Sequence, residues 1–176
     1  MLPRNRVRSV ALAVRGGRPA GTGHWRYYTR EDVPFTRLVF MAEFDPAMAP
    51  PDGWGVLAEV IEPAEEAGVP DAELVEQVVS GVRKVGLPAA DGDIVATRVF
   101  TSDPGYVVFT PDSQAAARRA AGFLAGRNLT TLGRYGFWTY SSMSQVMESA
   151  FAWAQERQPG FAPGPPPAHR NGARSC

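Results

Sequence analysis

The sequence predicts an α+β fold, a mixed and mostly antiparallel sheet with about three helices packed on it. Three observations carry this expectation. Apolar, β-branched and aromatic runs follow one another through residues 6–61, with glycine- or proline-rich breaks between them and no helical period. Apolar residues at helical spacing then appear in 71–85, 111–125 and 142–155. Because the early strands are consecutive, they pair most simply as an antiparallel or mixed sheet with the helices on one face.

Each element has its own local signal. Val7, Val10, Leu12 and Val14 mark a strand over 6–14, and Gly16, Gly17, Pro19, Gly21 and Gly23 mark the loop after it. Residues 24–29 are aromatic and strand-like, and 37–44 (RLVFMAEF) read as a buried strand. The prolines of 45–53 (DPAMAPPDG) predict a loop, and 54–61 (WGVLAEVI) a further strand. In 71–85, Leu74, Val75, Val78, Val79 and Val82 recur at helical spacing, with Asp71 as the expected N-cap and Gly86 and Pro88 as the stop. Two strands are expected over 93–101 and 106–110, a helix over 111–125, a short strand over 129–132 and a last helix over 142–155. Together these make a single domain over 1–157. The Pro/Gly-rich segment 158–176 is expected to be disordered.

Composition excludes several function classes. The 176 residues carry 18 Lys+Arg against 18 Asp+Glu, so no net charge favours a nucleic-acid partner. The single cysteine, Cys176, permits no internal disulfide and no cysteine-based metal site, and two histidines are too few for a histidine-rich zinc site. No apolar run approaches bilayer length, and the run after the basic start is too short for a secretory signal. The expectation is a soluble cytoplasmic chain with no metal and no membrane partner.

The segment 132–147, LGRYGFWTYSSMSQVM, concentrates the chemistry. Gly133 and Gly136 allow a tight path. Arg134 offers a planar fork suited to phosphate or carboxylate. Tyr135, Phe137, Trp138 and Tyr140 crowd aromatic surface beside it. Ser142 with Gln145 has capping-box spacing, and the helix start it predicts carries unpaired N–H groups and partial positive charge, suited to an electron-rich ligand oxygen. The competing reading is an ordinary strand end with packing aromatics.

Other candidates also carry two readings. His24, Trp25, Tyr27 and Tyr106 are candidates to line a substrate pocket, or else are sheet aromatics. Glu43 and Glu59 are either a carboxylate pair for acid–base work, or each faces solvent or pairs with an arginine such as Arg37 or Arg98. Met41, Met48, Met143 and Met147 read most simply as core filler.

The run G-R-x-x-x-[YW]-x-Y-x-x-M resembles the C-terminal flavin-contacting motif of FAD enzymes of the amine oxidase, protoporphyrinogen oxidase and UDP-galactopyranose mutase-like group. Gly133, Arg134, Trp138, Tyr140 and Met143 stand at its positions, and Ser142 and Ser144 stand where that family often has acidic residues. Upstream, DVPFTRLVFMAEFDPAMAP and WGVLAEV resemble its substrate-domain strands. The resemblance implies a flavin edge at Gly133, Arg134, Trp138, Tyr140, Met143 and Ser144. It implies a small-molecule substrate, and FAD held only with help, since the family's strand–GxGxxG–helix unit is not found here. A nucleotide-binding partner chain would supply the rest; a homo-oligomer is the other expected partner state. Two other functions stay open: a cofactor-free small-molecule-binding protein, cyclase or isomerase derived from that domain, and a non-catalytic interaction remnant.

Overall fold

A computed structural model describes residues 2–49, 52–87, 89 and 93–158. The expected helix stop Pro88 and the tail 159–176 lie outside the described residues. The chain forms two compact units, Met1–Thr110 and Pro111–Cys176.

The first unit is a five-stranded antiparallel sheet in the order β2-β3-β4-β1-β5. Its strands are β1 (Arg4–Arg15), β2 (Trp25–Tyr27), β3 (Arg37–Val39), β4 (Gly53–Pro63) and β5 (Ile94–Val107). The alternation legible in the sequence decides which face is covered. Val10, Leu12 and Val14 of β1 and Trp54, Val56, Ala58 and Val60 of β4 are buried on one face. Helix α2 (Asp71–Lys84) contributes Leu74, Val78, Val79 and Val82 to the same core, with Phe35, Leu38 and Phe40. Burial of each such side chain stabilises the fold by about 1.5–3 kcal/mol before chain entropy is counted.

An ion group around the buried Arg8 ties β1 to the start of α2. Arg8, only 5% exposed, donates to Glu62 (3.2 Å), to the Val69 carbonyl (2.7 Å) and to Asp71 (2.5 Å). The N-cap of α2 is therefore Pro70, with no side-chain cap bond, and Asp71 is the first helical residue. Its carboxylate serves Arg8 instead of the helix's own N–H groups. The helix ends at a left-handed Gly86 (φ 81°), where Leu87 N–H bonds back to the Val82 carbonyl.

Three further sequence expectations are corrected. Residues 41–44 form a short helix, α1 (Met41–Phe44), and not the end of a strand, since four residues are too few for a period to separate the two. A 3-10 turn, Pro46–Met48, follows it, opened by Asp45 accepting from Ala47 N–H. The two strands expected over 93–101 and 106–110 are the single strand β5, which continues through Pro104 because an edge strand has a side that needs no N–H. There Gly105 is required by contact, since a Cβ would stand 2.5 Å from Val7 Cγ2 and 2.8 Å from its backbone nitrogen. Residues 129–132 form no strand and lead instead into a helical turn.

The second unit is helical: α3 (Pro111–Ala125), α4 (Gly133–Gly136) and α5 (Met143–Arg157). Gln114 of α3 donates to the carbonyl of Trp138, between α4 and α5 (3.2 Å). Among the described residues no helix is long and apolar enough to cross a membrane.

Candidate functional site

The six residues implied as a flavin edge fall within one turn–helix segment of the second unit. Leu132 is extended, and Gly133 turns the chain with φ 75°, a conformation that favours glycine. Phe137 N–H then bonds to the Gly133 carbonyl (2.9 Å) and Thr139 N–H to the Arg134 carbonyl (3.0 Å), which closes α4 into a tight knot. Trp138 is 7% exposed, with φ 52° and an indole N–H that has no hydrogen-bond partner among the described residues. The Arg134 guanidinium lies 5.3 Å from the centre of the Tyr140 ring, and Tyr140 is half-exposed.

The start of α5 follows directly. Ser142 Oγ accepts from Gln145 N–H (3.2 Å), and Gln145 Oε1 accepts from Ser142 N–H (2.8 Å), completing the predicted capping box. The first intrahelical bond runs from Val146 N–H to the Ser142 carbonyl. The N–H groups of Met143 and Ser144 therefore have no intrahelical acceptor. Met143 is 85% exposed, and Ser144 Oγ lies 2.9 Å from Ser142 Oγ. The result is an open positive helix end beside an arginine and an exposed tyrosine. Such donors suit an electron-rich or anionic oxygen of a ligand.

The four candidate substrate residues divide into two groups on the first unit. Tyr27 and Tyr106 meet at Arg37, which donates to both hydroxyls (3.3 and 3.5 Å). Arg37 also holds Glu59 by two bonds (2.8 and 2.5 Å), and the Tyr106 hydroxyl donates to the same carboxylate (3.2 Å). The bond to Glu59 raises the Arg37 pKa above the ordinary arginine value against a smaller opposing effect of burial, so the cation persists at any physiological pH. By strand register Tyr27, Arg37, Glu59, Ser9 and Phe100 form a row across all five strands, on the face opposite the core. His24 and Trp25 instead gather around Phe44, with ring centres 4.7 and 6.0 Å from it.

Glu43 and Glu59 are not a pair. Glu43 accepts from Thr22 Oγ1 (3.0 Å) and lies 3.6 Å from Arg18, while Glu59 belongs to Arg37. The pairing of Glu59 with Arg37 is one of the readings the sequence offered, but the link of both to Tyr106 was not foreseen. Alternation would have placed Arg37 and Glu59 on outward faces, but only the register brings them opposite each other. Among the described residues no group of three or more His, Cys, Asp or Glu is placed to hold a metal.

No protein-family model matches the chain. The fold nevertheless resembles a portion of two solved structures, a mutase and a putative oxidase. A reduced UDP-galactopyranose mutase matches with a TM-score of 0.76 and 20% identity over 89% of this chain and 34% of its own. A putative protoporphyrinogen oxidase from Exiguobacterium sp. 255-15 matches with a TM-score of 0.64 and 14% identity, over 89% of this chain and 35% of its own. The chain thus spans about a third of the length of each, and at these identities the likeness is one of fold.

Proposed function

We propose that this chain is the substrate-binding portion of an FAD-dependent oxidoreductase or mutase acting on a small molecule. The observation that carries the reading is the capped start of α5, with Arg134 and Tyr140 beside it, in a fold shared with such enzymes. FAD, when bound, supplies the redox-active ring. Met143 and Ser144 would offer backbone N–H groups to a ring oxygen, and the helix end would favour negative charge there. Arg134 would hold a cation beside the same edge. The Tyr27–Arg37–Tyr106 cluster would orient a polar substrate. The dinucleotide half of FAD would be held by a domain or partner chain beyond these residues, because the sequence has no G-x-G-x-x-G unit.

A second reading, a cofactor-free small-molecule-binding protein, is favoured by one fact. The Arg37–Glu59–Tyr106 cluster is built by the first unit alone. Titration of the purified chain with FAD, read by absorbance and flavin fluorescence, separates the two. The flavin reading expects saturable binding, alone or with proteins encoded beside it, that Arg134→Ala weakens about tenfold or more, the equivalent of ~1.4 kcal/mol. A folded chain that retains no flavin under either condition would leave the second reading standing.

A further inference from the structure

β5 stands at one margin of the sheet, with β1 on its inner side and no described strand on its outer side. From Val95 to Asp103 every residue except Val99 is exposed, including Val95 at 52% and Phe100 at 47%. An edge of this kind presents a row of unpaired N–H and C=O groups, which proteins usually blunt with lysine, proline, an inward charge or a bulge. Residues 95–103 contain neither lysine nor proline. Their register against β1 is unbroken from Ser102 to Ala96, with register shifts only beyond each end, so no bulge falls within those residues.

We infer that this edge pairs with the same edge of a second copy, antiparallel, about a two-fold axis at Val99. The residues nearest that axis are complementary, while farther out Ala96 meets Ser102 and Val95 meets Asp103. Thr97, Val99 and Thr101 lie opposite Leu12, Val10 and Arg8 of β1 and so share the core face. Arg98 and Phe100 lie opposite Ala11 and Ser9 and share the other face. A two-fold at Val99 sets Thr97 of each copy against Thr101 of its partner, and Arg98 of each against the partner's Phe100. Thr–Thr and cation–ring pairs both favour strand pairing. Arg98 already reaches over an aromatic ring in this way, lying 5.0 Å from the centre of its own Phe100.

Neighbouring registers are worse. An axis at Arg98 opposes two guanidinium groups, the only cations of the stretch. An axis at Phe100 sets Arg98 against Ser102 and so removes both cation–ring pairs. The core side also has room, since an open groove lined by Asp71, Val75, Thr97 and Val99 separates α2 from β5. The product is a continuous ten-stranded sheet, five strands from each copy. A strand pair alone buries less than the roughly 1,200 Å² of a standard stable interface, so the dimer is weak and concentration-dependent. This inference rests on the first unit only and stands apart from the flavin reading.

The test is sedimentation equilibrium of the full chain from micromolar to near-millimolar concentration, with thermal unfolding of each variant to confirm its fold. Wild type is expected to pass from monomer to dimer. Thr97→Lys with Thr101→Lys opposes like charges twice and should weaken association about tenfold or more, while Thr97→Lys with Thr101→Glu opposes unlike charges twice and should restore it. A chain that stays monomeric throughout overturns the inference, including one whose edge is protected only when a different protein is added. So does a dimer indifferent to the double lysine variant, or one that the lysine–glutamate variant fails to rescue.

Discussion

Arg37 and Glu59 face each other across β3 and β4 and are joined by two nearly parallel bonds, Nε to Oε2 at 2.8 Å and Nη2 to Oε1 at 2.5 Å. Their side chains are 24% and 13% exposed. A planar guanidinium held this way has two of its five N–H groups fixed on the carboxylate, and two of the others point at Tyr27 and Tyr106. The carboxylate thus sets the orientation of the whole cluster.

Replacing Glu59 with Gln keeps the volume and removes the charge. The half-buried cation then loses its main partner, and the fold should lose about 1–3 kcal/mol in urea unfolding. Glu59→Gln with Arg37→Met should recover part of the loss, because it removes the stranded cation. A double variant less stable than the single one would show that packing of the arginine stem, and not the ion pair, sets the contribution.

The sequence carried the strands and long helices well because each rests on a period or a local stop signal. Leu74, Val78 and Val82 show a helical face, and Ser142 with Gln145 a helix start, without reference to anything distant. Register and partner choice were not legible. Arg8 sits on a strand in a position that alternation assigns to the core, and nothing local says that Glu62, Val69 and Asp71 converge on it. In the same way Tyr106 and Glu59 are 47 positions apart, and only the sheet order brings them together. The turn at Gly133 was read from its glycines, yet the helical knot that Gly133–Gly136 closes depends on backbone bonds that sequence spacing does not reveal.

Gly81, in the buried stripe of α2, gives a prediction whose sign opposes the usual rule. Alanine in a helix interior is ordinarily favoured over glycine by about 1 kcal/mol. Here a Cβ would stand 2.8 Å from Phe35 Cε1 and 3.0 Å from Pro34 Cδ. Phe35 is 1% exposed and held edge-on by Tyr28, so it cannot move aside freely. Gly81→Ala should therefore be destabilising by about 1 kcal/mol or more. A rise in melting temperature would mean that the 34–35 loop yields at little expense.

Asp103 anchors β5 to the first residue of β1 by accepting from Arg4 Nε at 2.6 Å. That hydrogen bond, assisted by the nearby Arg4 charge and opposed by desolvation, lowers its pKa below the ordinary 3.8. A carboxyl whose folded pKa is depressed contributes stability that is present above the unfolded value and lost as pH falls through the folded one. The loss therefore belongs to the range below about pH 4. Asp103→Asn should flatten the stability profile there and leave it parallel to wild type near neutrality. Carbon-detected titration should find the Asp103 carboxyl below the ordinary aspartate range in wild type and returned toward it by Arg4→Gln. An ordinary value in wild type would remove the anchor from the account of acid unfolding.

The capping box at Ser142 links stability to the candidate flavin edge, because the bonds that close the start of α5 also fix the direction of the Met143 and Ser144 N–H groups. Ser142→Ala removes the acceptor for Gln145 N–H and should destabilise the helical unit by about 1 kcal/mol. Amide exchange should localise the effect to Gln145 and Val146, leaving the far end of α5 unchanged. Ser142→Asp keeps a side-chain acceptor and adds a negative charge at the positive helix end, so it should hold or raise stability. If flavin binds as proposed, the alanine variant should lose affinity in step with the fraying of the first turn. Faster exchange at Gln145 with undiminished flavin affinity would separate the two and place the ring elsewhere on the chain.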